Sequence, residues 1–331
     1  MTTAVVILNW NGRELLAQFL PSVIRHSSEA TVYVADNAST DDSVLFISEN
    51  FPTVKIIQNK TNGGYAKGYN DALKHVSEDI LVLLNSDVEV TENWLTPVIS
   101  EFRKDATLAA AQPKILDYKN KAYFEYAGAG GGFVDALGYP YCRGRIFNIL
   151  ELDEGQYNDT IPIFWATGAA LFVKNTVFWE VGGLDEDFFA HQEEIDLCWR
   201  LQNNGNVVKY IGASVVYHVG GATLAAGNPR KTFYNFRNTL LALVKNVKGA
   251  KVWGIIFIRL ILDAIAAFQF LFQGKPKHFS AILKAHFSFY TLIRKFLKKR
   301  RIYAKKTKYY RINSIVWYYF IRKKHHFKDG Y

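Results

Sequence analysis

Apolar runs and helical periods alternate through the first 111 residues, and this rhythm narrows the fold more than any other feature. Ala4–Leu8, Thr31–Ala35, Val54–Ile57, Ile80–Leu84 and Leu108–Ala111 read as strands. Arg13–Arg25, Asp42–Asn50, Tyr65–His75 and Glu92–Phe102 have helical spacing between them. Leu15, Leu16, Phe19, Leu20, Val23 and Ile24 set the stripe of the first helix, and Ser39 or Thr40 is placed to cap the second. Such alternation predicts a three-layer α/β domain around a mostly parallel sheet.

The pattern breaks between 117 and 160, where Ala127-Gly-Ala-Gly-Gly-Gly132 and several aromatics suggest loops and short strands. Ala169–Val173 and Val207–Ile211 return as strands. After Asn228-Pro229 long helical stretches run to Leu297, followed by a basic tail. The expected division is therefore an α/β domain over 1–228 and a helical, basic appendage over 229–331.

Charge follows the same division. Of 40 Lys and Arg and 30 acids, residues 251–331 hold 19 and 2, leaving 21 and 28 in the first 250. An acidic body with a basic tail points to an anionic surface as the tail's partner. No reading motif accompanies the basic run, so nucleic acid is not expected. Cys142 and Cys198 have no metal-ligand spacing, which fits a reducing compartment. Thr3–Asn9 lacks the flanks of a signal peptide, so a cytoplasmic location is expected.

Two acidic sites carry the chemistry. Leu83-Leu-Asn-Ser-Asp87 closes an apolar strand, and in open α/β sheets the ligand crevice lies beyond the strands' carboxyl ends. Asp87 there suits a hard cation that neutralises a diphosphate; a plain turn or cap aspartate is the competing reading. The second site, Glu193-Glu-Ile-Asp196, opens a helix among Phe188, Phe189, Ile195, Leu197 and Trp199. A carboxylate in apolar surroundings has its pKa raised and becomes a general-base candidate. Acids in a first helical turn also follow from the macrodipole alone.

The first strand is followed by Asn9-Trp-Asn-Gly-Arg-Glu14, not by G-x-G-x-x-G, and no G-x-x-x-x-G-K-[ST] loop occurs. Dinucleotide and P-loop chemistry are thereby disfavoured. The strand ends instead offer Asn9, Asp36 and Asp87, and Asn62-Gly-Gly-Tyr-Ala-Lys-Gly-Tyr-Asn70 puts a glycine turn at a helix start. Asp36 is placed to accept from a pyrimidine imide.

Taken in order, Val5-Val-Ile-Leu-Asn-Trp-Asn11, Val34-Ala-Asp-Asn-Ala-Ser-Thr-Asp-Asp-Ser43, the 62–70 turn and Leu83–Asp87 resemble family 2 of the inverting glycosyltransferases. Ala166-Thr-Gly-Ala-Ala-Leu-Phe172, Val181–Phe189, Glu193–Arg200 and Tyr217-His218 extend the resemblance over roughly 3–220. The subgroup it looks most like builds bacterial surface polysaccharides and is rhamnosyltransferase-like. The resemblance implies a GT-A fold, the Rossmann-like nucleotide-diphospho-sugar transferase architecture. It implies a UDP- or dTDP-sugar donor on Asn9, Asn11, Asp36, Asn62, Gly63, Lys67, Asn85 and Ser86. Asp87 with His218 would hold Mg2+ or Mn2+. Glu194 would be the base, with Glu193 as its alternative, and Trp165, Gly168 and Asp185 would face a glycan or polyprenyl-linked acceptor. Asn85 stands where many relatives have an aspartate. A sugar-nucleotide pyrophosphorylase would want a Gly-rich loop after the first strand. A non-catalytic sugar-binding module would leave Asp87 and Glu194 in separate regions.

Gly254–Phe272 is apolar enough to be considered as a span. Arg259 and Asp263 within it cost ~2.5–3.5 kcal/mol each at a bilayer centre. At i, i+4 they can pair on one helix face, so a helix packed on the body or lying in the interface is expected. Phe279, Ile282, Leu283, Phe287, Tyr290, Ile293 and Leu297 form a broad face on the next helix. With Lys298-Lys-Arg-Arg301 and Arg322-Lys-Lys324 they read as a membrane-surface element at the inner leaflet.

Overall fold

The computed structural model describes residues 1–220, 227–300 and 308–329. In chain order it opens with β1 (Thr3–Asn9), α1 (Arg13–His26), β2 (Thr31–Asp36), α2 (Ser43–Asn50), β3 (Lys55–Gln58), α3 (Gly64–Leu73) and β4 (Ile80–Asn85). Then come β5 (Val88–Val90), α4 (Thr96–Lys104) and β6 (Leu108–Asp117). A small antiparallel sheet follows, made of β7 (Gly132–Val134), β8 (Pro140–Cys142), β9 (Arg145–Ile146) and β10 (Ile149–Leu150). The main sheet is completed by β11 (Thr160–Pro162), β12 (Ala170–Lys174) and β13 (Val207–His218), with α5 (Asn175–Glu180) and α6 (Glu193–Asn203) between the last two. Helices α7 (Pro229–Asn246), α8 (Lys251–Phe272) and α9 (Pro276–Lys299) follow.

The main sheet runs β11-β13-β6-β12-β4-β1-β2-β3, with β5 beside β13. β1 to β4 are mutually parallel, as are β6 and β13; β12 runs against both of its neighbours. Strand residues alternate between two buried cores. Ala4, Val6, Leu81 and Leu83 face one; Val5, Ile7, Ile80, Val82 and Leu84 face the other. Burial on both faces explains why these strands read as unbroken apolar runs. Each fully buried Val or Leu stabilises the sheet by ~1.5–3 kcal/mol.

Three expectations shift. α4 starts at Thr96 rather than Glu92, because Asn93 is left-handed (φ 58) and Pro97 takes the first turn. Neither Ser39 nor Thr40 caps α2. Ser39 Oγ accepts from Asn11 N (2.9 Å), and Thr40 N donates to Asn11 Oδ1 (2.7 Å). On α9 the expected broad face is split: Ile282 is buried with Ala281, Ala285, Phe289 and Phe296, while Leu283, Phe287 and Tyr290 are exposed.

The C-terminal helices share the body's core. Leu240, Leu241, Leu243 and Val244 of α7 and Phe289 and Phe296 of α9 belong to one apolar cluster with Phe188, Ile195 and Leu197. α8 is the one helix among the described residues long and apolar enough to cross a membrane. It lies on the body through Val252, Ile256, Arg259, Asp263 and Ala267. Arg259 Nε donates to Asp263 Oδ1 (3.2 Å), and Tyr139 Oη donates to the same oxygen (3.0 Å). His286 lies 3.1 Å from the other oxygen. The expected i, i+4 pair is therefore present and faces inward.

Candidate active site

Parallel register sets the donor end of the crevice. Asn9 lies level with Asp36, and Leu8 with Asn85, so three strand ends meet at one edge. Asn9 Nδ2 donates to Asp36 Oδ1 (3.2 Å), and Ser39 N donates to Asp36 Oδ2 (3.0 Å). Each oxygen keeps a lone pair for a further donor. Beside it, Asn9 Oδ1 is buried without a hydrogen-bond partner. An orphaned acceptor next to a carboxylate suits a ligand N–H, the hydrogen-bonding character of a pyrimidine edge. Asn11 ties down the 39–41 turn. Asn62 Oδ1 accepts from Asn37 Nδ2 (3.0 Å) and Gly64 N (3.0 Å). Asn62 and Asn11 thus shape the crevice wall. Lys67 is held by Asp71 (2.6 Å) and packs under Gly63.

At the next strand end the chain turns through half-buried Asn85 and Ser86 to buried Asp87. β5 then pairs with β13, setting His218 level with Val88. His218 Nε2 is thereby 3.2 Å from Asp87 Oδ1 and 3.4 Å from Asn85 Nδ2. Nδ1 lies 3.4 Å from Glu125 Oε2. Burial alone would lower the His218 imidazolium, but hydrogen bonds and charge from Asp87 and Glu125 outweigh it and push its pKa up to about 10.

These residues fit a divalent cation. An octahedral ion with bonds of ~2.1 Å has neighbouring ligands ~3 Å apart, the separation seen between Asp87 Oδ1 and His218 Nε2. Glu125 lies behind the ring, 3.4 Å from Nδ1, where a carboxylate would orient Nε2 as a ligand if a metal were held. Among the described residues no group of three or more His, Cys, Asp or Glu forms a closed ligand set. A Mg2+ or Mn2+ held by Asp87 and His218 would leave its other positions to phosphate oxygens and water. Two cations feel the charge of Glu125 and sit over Tyr126. Arg145 lies 4.0 Å and Lys231 5.5 Å from the Tyr126 ring centre.

The acidic helix forms the far wall. Glu193 is buried with Oε2 unpartnered, and its pKa is raised well above the usual value, first by burial and then by the charge of Glu194. Glu194 is half-buried, and burial pushes its carboxyl up to about 7. A carboxyl poised there is about half ionised near neutral pH and still basic, as a general base would need. The 188–192 turn that precedes the helix holds Phe189 (φ 66), His191 (φ 67) and Gln192 (φ 76) in left-handed backbone. Non-glycine residues rarely adopt it, and such strain clusters at functional sites.

Asp87 and Glu194 are linked through Tyr65 and the 168–169 loop. Asn85 N donates to Ala169 O (3.0 Å), and Gly168 O accepts from Tyr65 Oη (2.7 Å). The charges of Glu193 and Glu194, after burial and Tyr69, help raise the Tyr65 hydroxyl's pKa. Gly64 (φ +78) closes the gap: a Cβ there would sit 2.9 Å from Phe189 O. Tyr65 N donates to that oxygen (3.2 Å). The 62–65 turn and the 188–192 loop are therefore in direct contact.

Two predicted acceptor residues lie elsewhere. Asp185 is buried, and Lys245 (2.7 Å) and Lys299 occupy its carboxylate, holding its pKa at about 2 despite burial. Trp165 is buried, with Nε1 donating to Phe133 O (2.9 Å) and its ring pressed on Gly132. The third acid of the helix, Asp196, is structural: Arg200 (2.8 Å) and Lys245 (2.8 Å) bond it. Gly168 remains at the crevice.

The family 2 glycosyl transferase profile matches residues 4–178, more than half the chain. The chain belongs to glycosyl transferase family 2. Among similar curated proteins is an N-acetylglucosaminyl-diphospho-decaprenol L-rhamnosyltransferase of Mycobacterium tuberculosis (strain CDC 1551 / Oshkosh). It is 24% identical over 65% of this chain and 75% of its own length. A low-salt glycan biosynthesis hexosyltransferase, Agl10, of Haloferax volcanii is 20% identical over 72% and 74%. Among solved structures, S. aureus TarS with UDP-GlcNAc aligns at TM-score 0.56 with 13% identity, over 90% of this chain and 91% of that one. GalNAc-T7 with UDP, GalNAc and Mn2+ aligns at 0.57 with 17% identity, over 74% of this chain but only 48% of that one. These are GT-A folds, and the Mn2+ in the second is consistent with a divalent metal cofactor in this glycosyltransferase.

Four residues at or behind the site escaped sequence reasoning. Glu125 sits in a segment without periodicity, beside the glycine run. Tyr65 lies inside the 62–70 turn, where the local pattern assigns it no role. Asn238 and its neighbour Arg237 lie beyond the resemblance, in a helix whose sequence shows only amphipathic spacing.

Proposed function

We propose that this glycosyltransferase moves a sugar, with inversion, from a UDP- or dTDP-linked donor to a hydroxyl of a glycan or polyprenyl-linked glycan. One observation carries the reading. The Asp87–His218 pair and the half-buried Glu194 are linked through Tyr65 and the 168–169 loop. Inversion by one in-line displacement needs a base on the acceptor side and charge neutralisation on the leaving side. Asp36 and the Asn9 carbonyl receive the base of the nucleotide. Asp87 and His218 would hold the metal, with Glu125 fixing the ring. A bound Mg2+ or Mn2+ supplies Lewis acidity to the leaving diphosphate. Lys231 and Arg145 add positive charge beside it. Glu194 takes the proton of the acceptor hydroxyl as the oxygen attacks the anomeric carbon.

The lipid-linked acceptor of the mycobacterial relative supports a membrane-side substrate. So does the outer stripe of α8, where Trp253, Phe257, Ile261, Ile265, Phe268 and Phe272 are all exposed. Leu283, Phe287 and Tyr290 of α9 extend it. Spaced at three and four residues, they form an apolar face opposite Arg259 and Asp263. We read it as an interfacial surface at the inner face of the cytoplasmic membrane. The basic cluster is only partly available to lipid headgroups. Lys299 bonds to Asp185 and Asp187, and Arg300 to the carbonyls of Val244 and Val247. Arg301 lies outside the described residues.

The test is nucleotide release over UDP-, dTDP- and GDP-sugars with Mg2+ or Mn2+ and a diphospho-polyprenyl GlcNAc acceptor. Acceptor-dependent release from one donor class is expected. Nucleotide binding with no release from any donor would reduce the site to a binding module.

A further inference from the structure

The loop that leads into α6 makes only short-range backbone bonds of its own, Phe189 N to Glu186 O (3.2 Å) and Ala190 N to Phe188 O (2.8 Å) among them. Its left-handed residues Phe189, His191 and Gln192 turn several carbonyls inward, away from the usual helical or strand partners. Asn238, fully buried on α7, meets them. Its Nδ2 lies 3.1 Å from Phe188 O, 2.9 Å from Ala190 O and 2.7 Å from His191 O. An amide has two N–H groups, so three carbonyls share two hydrogens. The amide oxygen is turned the right way by Arg237 Nε, which donates to it (2.8 Å). Arg237 Nη2 reaches Asp187 O (3.2 Å) and Phe188 O (3.1 Å).

The other end of the loop is pinned by charge. Lys245 of α7 and Lys299 of α9 hold Asp185, while Lys295 and Lys299 hold Asp187. Downstream, Gln192 O accepts from Asp196 N (2.9 Å), so the residue after the clamped carbonyls sets the first turn of α6. Glu193 and Glu194 occupy that turn.

We propose that Asn238, oriented by Arg237, is the positioning residue that holds the 188–192 turn in its left-handed form and so aims Glu194 at the acceptor. This rests on the assignment of Glu194 as the base. Asn238 touches neither substrate nor metal. Its effect passes through backbone carbonyls, which a side chain of the same bulk without N–H groups cannot hold.

Two variants separate bulk from hydrogen bonding. Asn238→Leu fills the space without donors, and Asn238→Ala removes both. In full-length protein each is expected to lose about 10²-fold in kcat, the scale of a misplaced reacting group. Binding of UDP or dTDP, read by titration, should stay within about twofold, because Asn9, Asp36 and Asp87 sit at the ends of β1, β2 and β4 rather than on the 62–65 turn that meets the loop. The acid limb of kcat should also move down from near 7 as Glu194 leaves its buried setting. The ionisable groups facing it are Glu193 and Cys198 of its own helix and Tyr65 of α3. If neither variant folds, Arg237→Gln serves, with a smaller kcat loss expected at unchanged nucleotide binding.

Wild-type kcat in the folded variants overturns the proposal. So does a loss of kcat and nucleotide binding in equal measure, which marks a general structural defect. A silent Glu194→Gln would sink the base assignment. An inactive Glu194→Gln beside a fully active Asn238→Leu would sink the clamp alone.

Discussion

Glu194→Gln should make this enzyme more stable and nearly inactive at once. The native site holds the Glu194 carboxyl at about 7 against an ordinary value of 4.5. Because the folded value is raised, the site favours the protonated acid. Stability from this group is full below 4.5 and is lost as pH rises through 7. Linkage puts the cost of ionising it in the fold at about 3 kcal/mol at pH 8 and under ~1 kcal/mol at pH 5. A glutamine keeps the shape and never ionises, so it escapes that cost. Denaturant unfolding should show the variant ahead of wild type at pH 8, with the gap closing towards pH 5. Nucleotide release should fall at least ~10²-fold in kcat, with donor affinity little changed. In wild type, kcat should drop about tenfold per pH unit below 7. A stability difference that is the same at both pH values would refute the buried-base reasoning. So would wild-type turnover; if Glu193→Gln alone then lost activity, the base would be one residue upstream.

Three further outcomes follow from other parts of the molecule. Glu125→Gln should weaken Mn2+ binding ~10–100-fold, read by electron paramagnetic resonance, since it removes the carboxylate behind His218; unchanged affinity would remove Glu125 from the site. Lys245→Ala strips one partner from two buried aspartates, Asp185 and Asp196. It should cost about 3 kcal/mol of unfolding free energy, the low end for a broken buried pair, because Arg200 and Lys299 remain; a loss under ~1 kcal/mol would contradict the network. Changing Phe257, Ile261, Ile265 and Phe268 together to serine should abolish flotation with anionic liposomes while turnover of a water-soluble acceptor persists. Undiminished flotation would rule out α8 as the contact.

The sheet was legible because its strands are buried on both faces, which leaves unbroken apolar runs, and because glycines and asparagines mark the strand ends. Asp36, Asp87 and Glu194 could be singled out since each sits where its own local pattern changes. What stayed hidden depends on contacts between distant segments. Asp196 looked like a functional acid until Lys245, far along the chain, proved to neutralise it. Asp185 looked open to an acceptor, yet two lysines from different helices occupy it. Lys299, one of the two, also made the basic tail seem more available to lipid than it is. Glu125 had no local signal, because only the pairing of β5 with β13 brings His218 and Asp87 together in front of it.

The lysine and asparagine contacts from α7 and α9 also limit how relatives can exchange parts. The family-wide profile stops at residue 178, before the base loop begins. A chimera joined at residue 228, where the sequence changes character, would set a foreign Lys245, Asn238 and Lys299 against native acids and carbonyls, or the reverse. The severed halves would each carry buried charges with no counterpart. A junction near 178 to 184 keeps the loop, α6 and the three C-terminal helices together as one inheritable block. Acceptor preference should therefore travel between relatives only as that whole block, and donor preference with the segment before it.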